Sequence, residues 1–89
     1  MAFVIGQPYY VITESDYYVL SQLLGGEEYV RDDFPDTYTD PATNETYYVG
    51  LASLIDPTEE GDYANAGFPV VSFGIAYFTT SVQANISFP

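Results

Sequence analysis

The side chains of this chain that could do chemistry are almost all carboxylates and phenols. Thirteen Asp and Glu residues stand against a single cation, Arg31, and ten Tyr are present, while Lys, His, Cys and Trp are absent. Without imidazole or thiolate there is no His-activated nucleophile, no Cys/His zinc site and no disulfide framework. Four kinds of chemistry remain: paired carboxylates acting as acid and base, oxygen ligation of a hard cation, recognition by tyrosine, and charge complementarity to a cationic partner.

Paired carboxylates carry little information here. Glycosidases set two carboxyl groups about 5–9 Å apart, but thirteen carboxylates on 89 residues make such pairs unavoidable. A chain this small also has little room for a sugar cleft, so no catalytic residue is assigned. Asp32, Asp33, Asp36 and Asp40 with Asn44 and Glu45 form an oxygen-rich run. The regular Asp-x-Asp-x-Asp-Gly spacing of a calcium loop is absent and Pro35 and Pro41 impose their own geometry, so a solvated acidic loop is expected, with no metal and no cofactor. The adjacent pairs Tyr9-Tyr10, Tyr17-Tyr18 and Tyr47-Tyr48 should each send one ring inward and leave the other at the surface, because neighbours point to different faces. The inward rings complete a small core that lacks Trp. An outward Tyr beside a carboxylate is suited to an interface.

Eighty-nine residues make one domain (residues 1–89), near the lower limit for a single unaided core. A net charge of -12 repels phosphate, which argues against direct nucleic-acid binding. A content of 47% hydrophobic and 18% aromatic residues separates the chain from acidic disordered tails. No apolar run approaches a membrane span and the first residues lack a cationic leader, so a soluble protein made inside a cell is expected. Two glycosylation tripeptides, at Asn44 and Asn85, are of a kind that arises often by chance.

The charge is unevenly placed. Eleven of the thirteen carboxylates lie between Glu27 and Asp62, and no charged side chain follows Asp62. The elements that must hold them read as follows. Ala2 to Ile5 and Tyr9 to Ile12 are short strands separated by Gly6-Gln7-Pro8. Thr13 is a helix N-cap, followed by a helix over residues 14–24 with Tyr17, Leu20 and Leu24 on its apolar stripe, Val19 and Leu23 beside them, and Gly25-Gly26 as its stop. This is expected to be the only substantial helix. Glu28 to Arg31 reads as a strand, and Asp32 to Ala42 as an acidic loop or hairpin connection. Glu45 to Leu51 reads as a strand, although Val49 to Ile55 also fits a short helix. Asp56-Pro57-Thr58-Glu59 starts a helix that Gly61 should stop after one turn. Phe68 to Thr80 is a β-rich run, and Val82 to Phe88 alternates as a strand without charged edge residues, so it is either central or covered by another chain. The expected fold is α+β: a small, mostly antiparallel sheet with one amphipathic helix packed on one face.

In size and composition the chain resembles the small acidic inhibitors that phages encode against host defence, namely anti-CRISPR, restriction-inhibitor and glycosylase-inhibitor proteins that mimic DNA. The shared features are a short chain, strong negative charge, many Tyr and no catalytic set. The resemblance implies a non-enzymatic protein that acts in the host cytoplasm and binds the cationic groove of a nucleic-acid-binding protein or complex. Its contacts would be Glu27, Glu28, Asp32, Asp33, Asp36, Asp40, Glu59, Glu60 and Asp62, with exposed Tyr29, Tyr38 or Tyr63 beside them. Carboxylates on one strand face repeat at about 6.8 Å and i, i+4 pairs on a helix at about 6 Å, a density close to that of phosphates. A reading of another class is a structural subunit of a virion or filament, of the decoration or cement type, assembling through its uncharged β-rich ends, the N-terminal strip and the C-terminal strands, the latter as a homo-oligomer contact.

Overall fold

Aromatic and β-branched residues concentrated over Tyr9 to Thr13 and Tyr47 to Val49 build the two strands on which the rest of the chain is assembled. The computed structural model describes residues 3–89. Its strands are β1 (Pro8–Thr13), β2 (Asp36–Thr39), β3 (Thr46–Leu51), β4 (Gly74–Phe78) and β5 (Ala84–Ser87). They form one antiparallel sheet of order β2-β3-β1-β4-β5. Val11 lies opposite Val49 on one side and Gly74 on the other, while Tyr9 lies opposite Leu51 and Ala76.

The pleat then divides the side chains between two cores. Tyr10, Ile12 and Tyr48 face the helices, where Tyr17, Leu20, Val30, Phe34, Ile55, Tyr63 and Phe73 complete the larger cluster. Tyr9, Val11, Tyr38, Tyr47, Val49, Ala76 and Phe78 fill the opposite face. That second face is closed by curvature of the sheet. The two edge strands turn toward each other until the Ala84 amide on β5 donates to the Tyr38 hydroxyl on β2 at 3.4 Å. The Tyr38 ring meets Phe78 edge-on at 5.4 Å, and Phe3 stacks on Phe78 at 4.0 Å.

Three helices cover the first face: α1 (Glu14–Leu23), α2 (Glu27–Asp33) and α3 (Pro57–Asn65). The Thr13 side chain caps α1 by accepting from the Asp16 amide, and Gly25 follows at φ 85° with the Gly26 amide bonded back to Ser21. α1 and its two glycines therefore stand where the periodicity places them, and the architecture is the expected α+β. None of the helices is long and apolar enough to cross a membrane among the described residues.

Several local expectations are corrected. Residues 28–31 are helical, because Val30 and Phe34 fall at i, i+4 on the core side and Glu27, Glu28 and Arg31 complement the helix dipole at its proper ends. Burying Val30 and Phe34 is worth about 2 kcal/mol each, enough to outweigh the strand preference of Tyr29-Val30. α3 continues through Gly61 for nine residues. The interior glycine costs about 1 kcal/mol, offset by a reciprocal Asp56/Glu59 capping box, by Pro57 in the first turn and by complete burial of Tyr63. The stop comes at Gly67, φ 91°, where the Phe68 amide bonds to Tyr63 and the Gly67 amide to Ala64.

Residues 36–39 form a strand because Tyr38 pairs with Tyr47 on the buried face, so only residues 40–45 remain as the hairpin loop. Within the β-rich run, Val70–Ser72 is a single 3-10 turn and pairing starts at Gly74; Ala52–Leu54 is a second such turn, and the strand expected over Glu45 to Leu51 runs Thr46–Leu51. The first expected strand contributes one bridge, Ile5 to Phe78, and its Ala2 lies outside the described residues. β5 is not central: it is an edge strand paired within the chain to β4. Of the three tyrosine pairs, one ring of each is buried, but only Tyr18 leaves its partner for open solvent; Tyr10 and Tyr48 are half-buried because helices cover that face.

Candidate acidic interface

α2 turns its charged residues outward by simple helical phase. Val30 and Asp33 face the core, while Glu27, Glu28, Arg31 and Asp32 are exposed. Gly26, at φ 136°, permits the reversal between α1 and α2 that presents Glu27 and Glu28 at the helix start. An open groove of about 510 Å³ runs beside this reversal, lined by Leu24, Gly25, Gly26, Glu27, Glu28, Tyr29 and Asp32.

α3 is fastened to α2 by two phenol–carboxylate hydrogen bonds. The Tyr29 hydroxyl donates to Asp62 at 2.6 Å, and below it the Tyr63 hydroxyl donates to Asp33 at 2.7 Å. The Tyr29 bond sets Asp62 of α3 beside α2, whose Glu27, Glu28 and Asp32 line the groove with Tyr29, and α3 also carries half-exposed Glu59 and Glu60. Burial raises the Tyr29 phenol, with the Asp62 bond next in importance, so it remains a donor at neutral pH. Tyr17 is raised by burial and then by the nearby charge of Glu27.

Asp36 and Asp40 do not join this surface as a continuous run. Asp36 opens β2, and Asp40 lies four residues on, about 13 Å along an extended strand. At that far end Asp40 accepts from the Ala42 amide and bonds across the loop to Glu45 and Asn44. Glu45 and Glu14 line one small hollow there, with Thr13, Ser15, Asn44, Thr46 and Tyr47. The acidic middle of the sequence is thus divided into a helical group and a hairpin-tip group of Asp40 and Glu45, with Asp36 alone at the start of β2. Glu14 and Glu45 were not among the candidate contacts, and only the pairing of Thr13 with Tyr47 brings them together.

Three of the candidate residues are withdrawn from the surface. Asp33 is 2% exposed, and Tyr38 and Tyr63 are buried. Asp33 faces inward because it sits three residues after Val30 on the core side of α2, and Tyr63 does so because it is the apolar anchor of α3. Tyr38 is held inside the curl of the sheet. Burial pushes Asp33 up to about 7; the Tyr63 bond opposes this and Glu59 reinforces it. Tyr29 is half-buried, with its hydroxyl already engaged.

One surface feature escaped the sequence reading. Val19 and Leu23, assigned to the apolar stripe of α1, are 43% and 56% exposed, and Tyr18 is 52% exposed. The inward side is the expected Tyr17, Leu20 and Leu24, joined by Ser21. The ridge that meets the sheet, Tyr17, Leu20 and Leu24, is the one the spacing predicts; packing decides that Val19 and Leu23 beside it stay open.

Among the described residues no three carboxylates converge as a metal site would require. Comparison with protein-family models, with curated proteins and with solved structures finds no match to this chain.

Proposed function

We propose that this protein is a non-enzymatic acidic inhibitor that binds the cationic nucleic-acid-binding surface of a host defence or DNA-processing protein, in the manner of a DNA mimic. One observation carries the reading. Every carboxylate except Asp33 reaches solvent, and the chain has one cation to set against them. Self-repulsion of this size costs stability, and the missing counter-charges are best supplied by a partner. The two helices of the helical group are joined by the Tyr29–Asp62 and Tyr63–Asp33 bonds, which limits the freedom of their carboxylates. Preorganised charge loses little freedom on binding, and electrostatic steering makes association fast and salt-sensitive.

The test is a pull-down from host extract with the intact protein, eluted either by salt or by duplex DNA. Release of one basic nucleic-acid-binding protein by both eluents is the expected result. Retention of the same partner by a variant with Glu28, Asp32, Glu60 and Asp62 changed to amides would refute the reading.

A structural subunit of a virion or filament is the second reading. It is favoured by an uncharged region in which Val82 and Phe88 are 70% and 50% exposed and Tyr77 and Ile5 lie open nearby in the β4–β5 part of the sheet. Assembly into particles or fibres at physiological salt, with no capture of a basic partner, would select this reading over the first.

A further inference from the structure

We propose that the outer face of α1, together with the α1–α2 reversal, is a docking surface for a cationic amphipathic helix of the partner protein. The inference rests on the partner being cationic and adds what else it must offer. Two parallel ridges at i, i+4 spacing run along the exposed side of α1: Ser15, Val19 and Leu23 on one, Glu14, Tyr18 and Gln22 on the other. Such ridges are what a second helix packs into. The first face of α1 is already taken by the sheet, while this one is unpartnered, and it exposes Tyr18, Val19 and Leu23 in a row.

Charge identifies the occupant. The ridges themselves hold one carboxylate, Glu14, at their start, whereas their far end has an acid on each side, Asp62 and Glu27. Leu23 shares a hollow with Asp62, Asn65 and Ala66 on one side, and Tyr18 shares one with Gly26 and Glu27 on the other. The C-terminus of α1 adds the negative end of its dipole, with no basic residue in its last turn. A second copy of this chain would bring acid against acid. A helix with a leucine-like face bordered by Lys or Arg meets both demands at once, placing apolar side chains on Val19 and Leu23 and cations toward Glu27, Glu28 and Asp62. Duplex DNA mimicry alone requires no apolar ridge.

The probe is a synthetic peptide of about 18 residues, Leu and Lys arranged at helical period, compared with a scrambled peptide of the same composition. Titrations are followed by calorimetry and by amide chemical shifts of the intact protein. The periodic peptide is expected to bind one-to-one, at least tenfold tighter than the scramble, and to move the signals of residues 18–28. V19S/L23S changes side chains that are already largely exposed and should keep the fold, as circular dichroism can verify. It should weaken the periodic peptide about tenfold, the loss expected for removing several buried methylenes, and leave the scramble unchanged. E27Q/E28Q/D32N should weaken both peptides at low salt. Equal binding of the two peptides or an unaltered affinity in V19S/L23S overturns the docking surface while leaving the acidic reading intact, whereas no binding of either peptide overturns both. An unaltered affinity in E27Q/E28Q/D32N overturns the acidic reading itself, and the docking surface with it.

Discussion

The Tyr63 hydroxyl donates a 2.7 Å hydrogen bond to Asp33 across the junction of α3 and α2, with both side chains out of solvent. Burial outweighs this bond and holds the Asp33 carboxyl up to about 7, far above its ordinary 3.8, with Glu59 adding to the rise. The folded state therefore holds more protons than the unfolded chain between these values. The stabilisation linked to this proton is complete below the ordinary carboxylate pKa and is lost as pH rises through about 7. Asn at this position keeps an acceptor for Tyr63 and carries no charge. D33N should accordingly gain on the wild type in thermal melts as pH goes from 5 to 8, and a constant difference across that range would contradict the assignment. Y63F removes the donor; it should cost about 1–3 kcal/mol and, by raising Asp33 further, extend the pH-dependent loss to higher pH.

Gly50 is required by close approach. A Cβ there would fall on the carbonyl oxygen of Asp33 and crowd the Phe34 backbone, and neither is the end of a flexible side chain. G50A should destabilise the fold by at least about 3 kcal/mol, because β3 must separate from the end of α2. Chemical denaturation measures this directly, and a loss below about 1 kcal/mol would mean that the α2–β3 contact is looser than described.

Glu45 controls the titration of a buried phenol. The Tyr47 hydroxyl donates to Glu45 at 2.7 Å, and this bond, more than burial, pushes Tyr47 up to about 12. Tyr48 is also pushed up to about 12, chiefly by burial. In E45Q the Tyr47 transition should move down in pH while that of Tyr48 stays, as ring-carbon chemical shifts would resolve. If both transitions move together, E45Q has loosened the hairpin and not merely removed a charge.

Two exposed acids of α2 should have opposite effects on stability. Glu27 lies in the first turn, where the dipole favours negative charge, and Asp32 lies in the last turn beside Asp33. E27Q should lose about 0.5 kcal/mol at low ionic strength and D32N gain about as much, both effects fading in molar salt. Both changes should nevertheless slow association with a cationic partner. Stability and binding measured on the same two proteins thus separate what the charges do for the fold from what they do for the interface.

How far these features could be read in advance depended on how local their causes are. Thr13, Gly25-Gly26 and the Asp56–Glu59 box act within one turn of chain, and α1 and the start of α3 stood plainly in the residues. The length of α3 did not, because Tyr63 outweighs Gly61 only where a core exists to receive the ring. Residues 28–31 misled for the same reason: Tyr-Val favours a strand, and Phe34, the residue that makes the segment helical, is informative only once it is buried.

The sequence by itself determined the α+β class, the absence of imidazole and thiolate chemistry, and an acidic middle between uncharged ends. Charge sign and residue type need no neighbours to be known. Only the tertiary structure decided that Asp33, Tyr38 and Tyr63 belong to the core, that the acids divide into a helical group and a hairpin-tip group, and that Tyr18, Val19 and Leu23 remain open. Each of these turns on which face of an element meets the sheet, and packing against residues distant in the chain makes that choice.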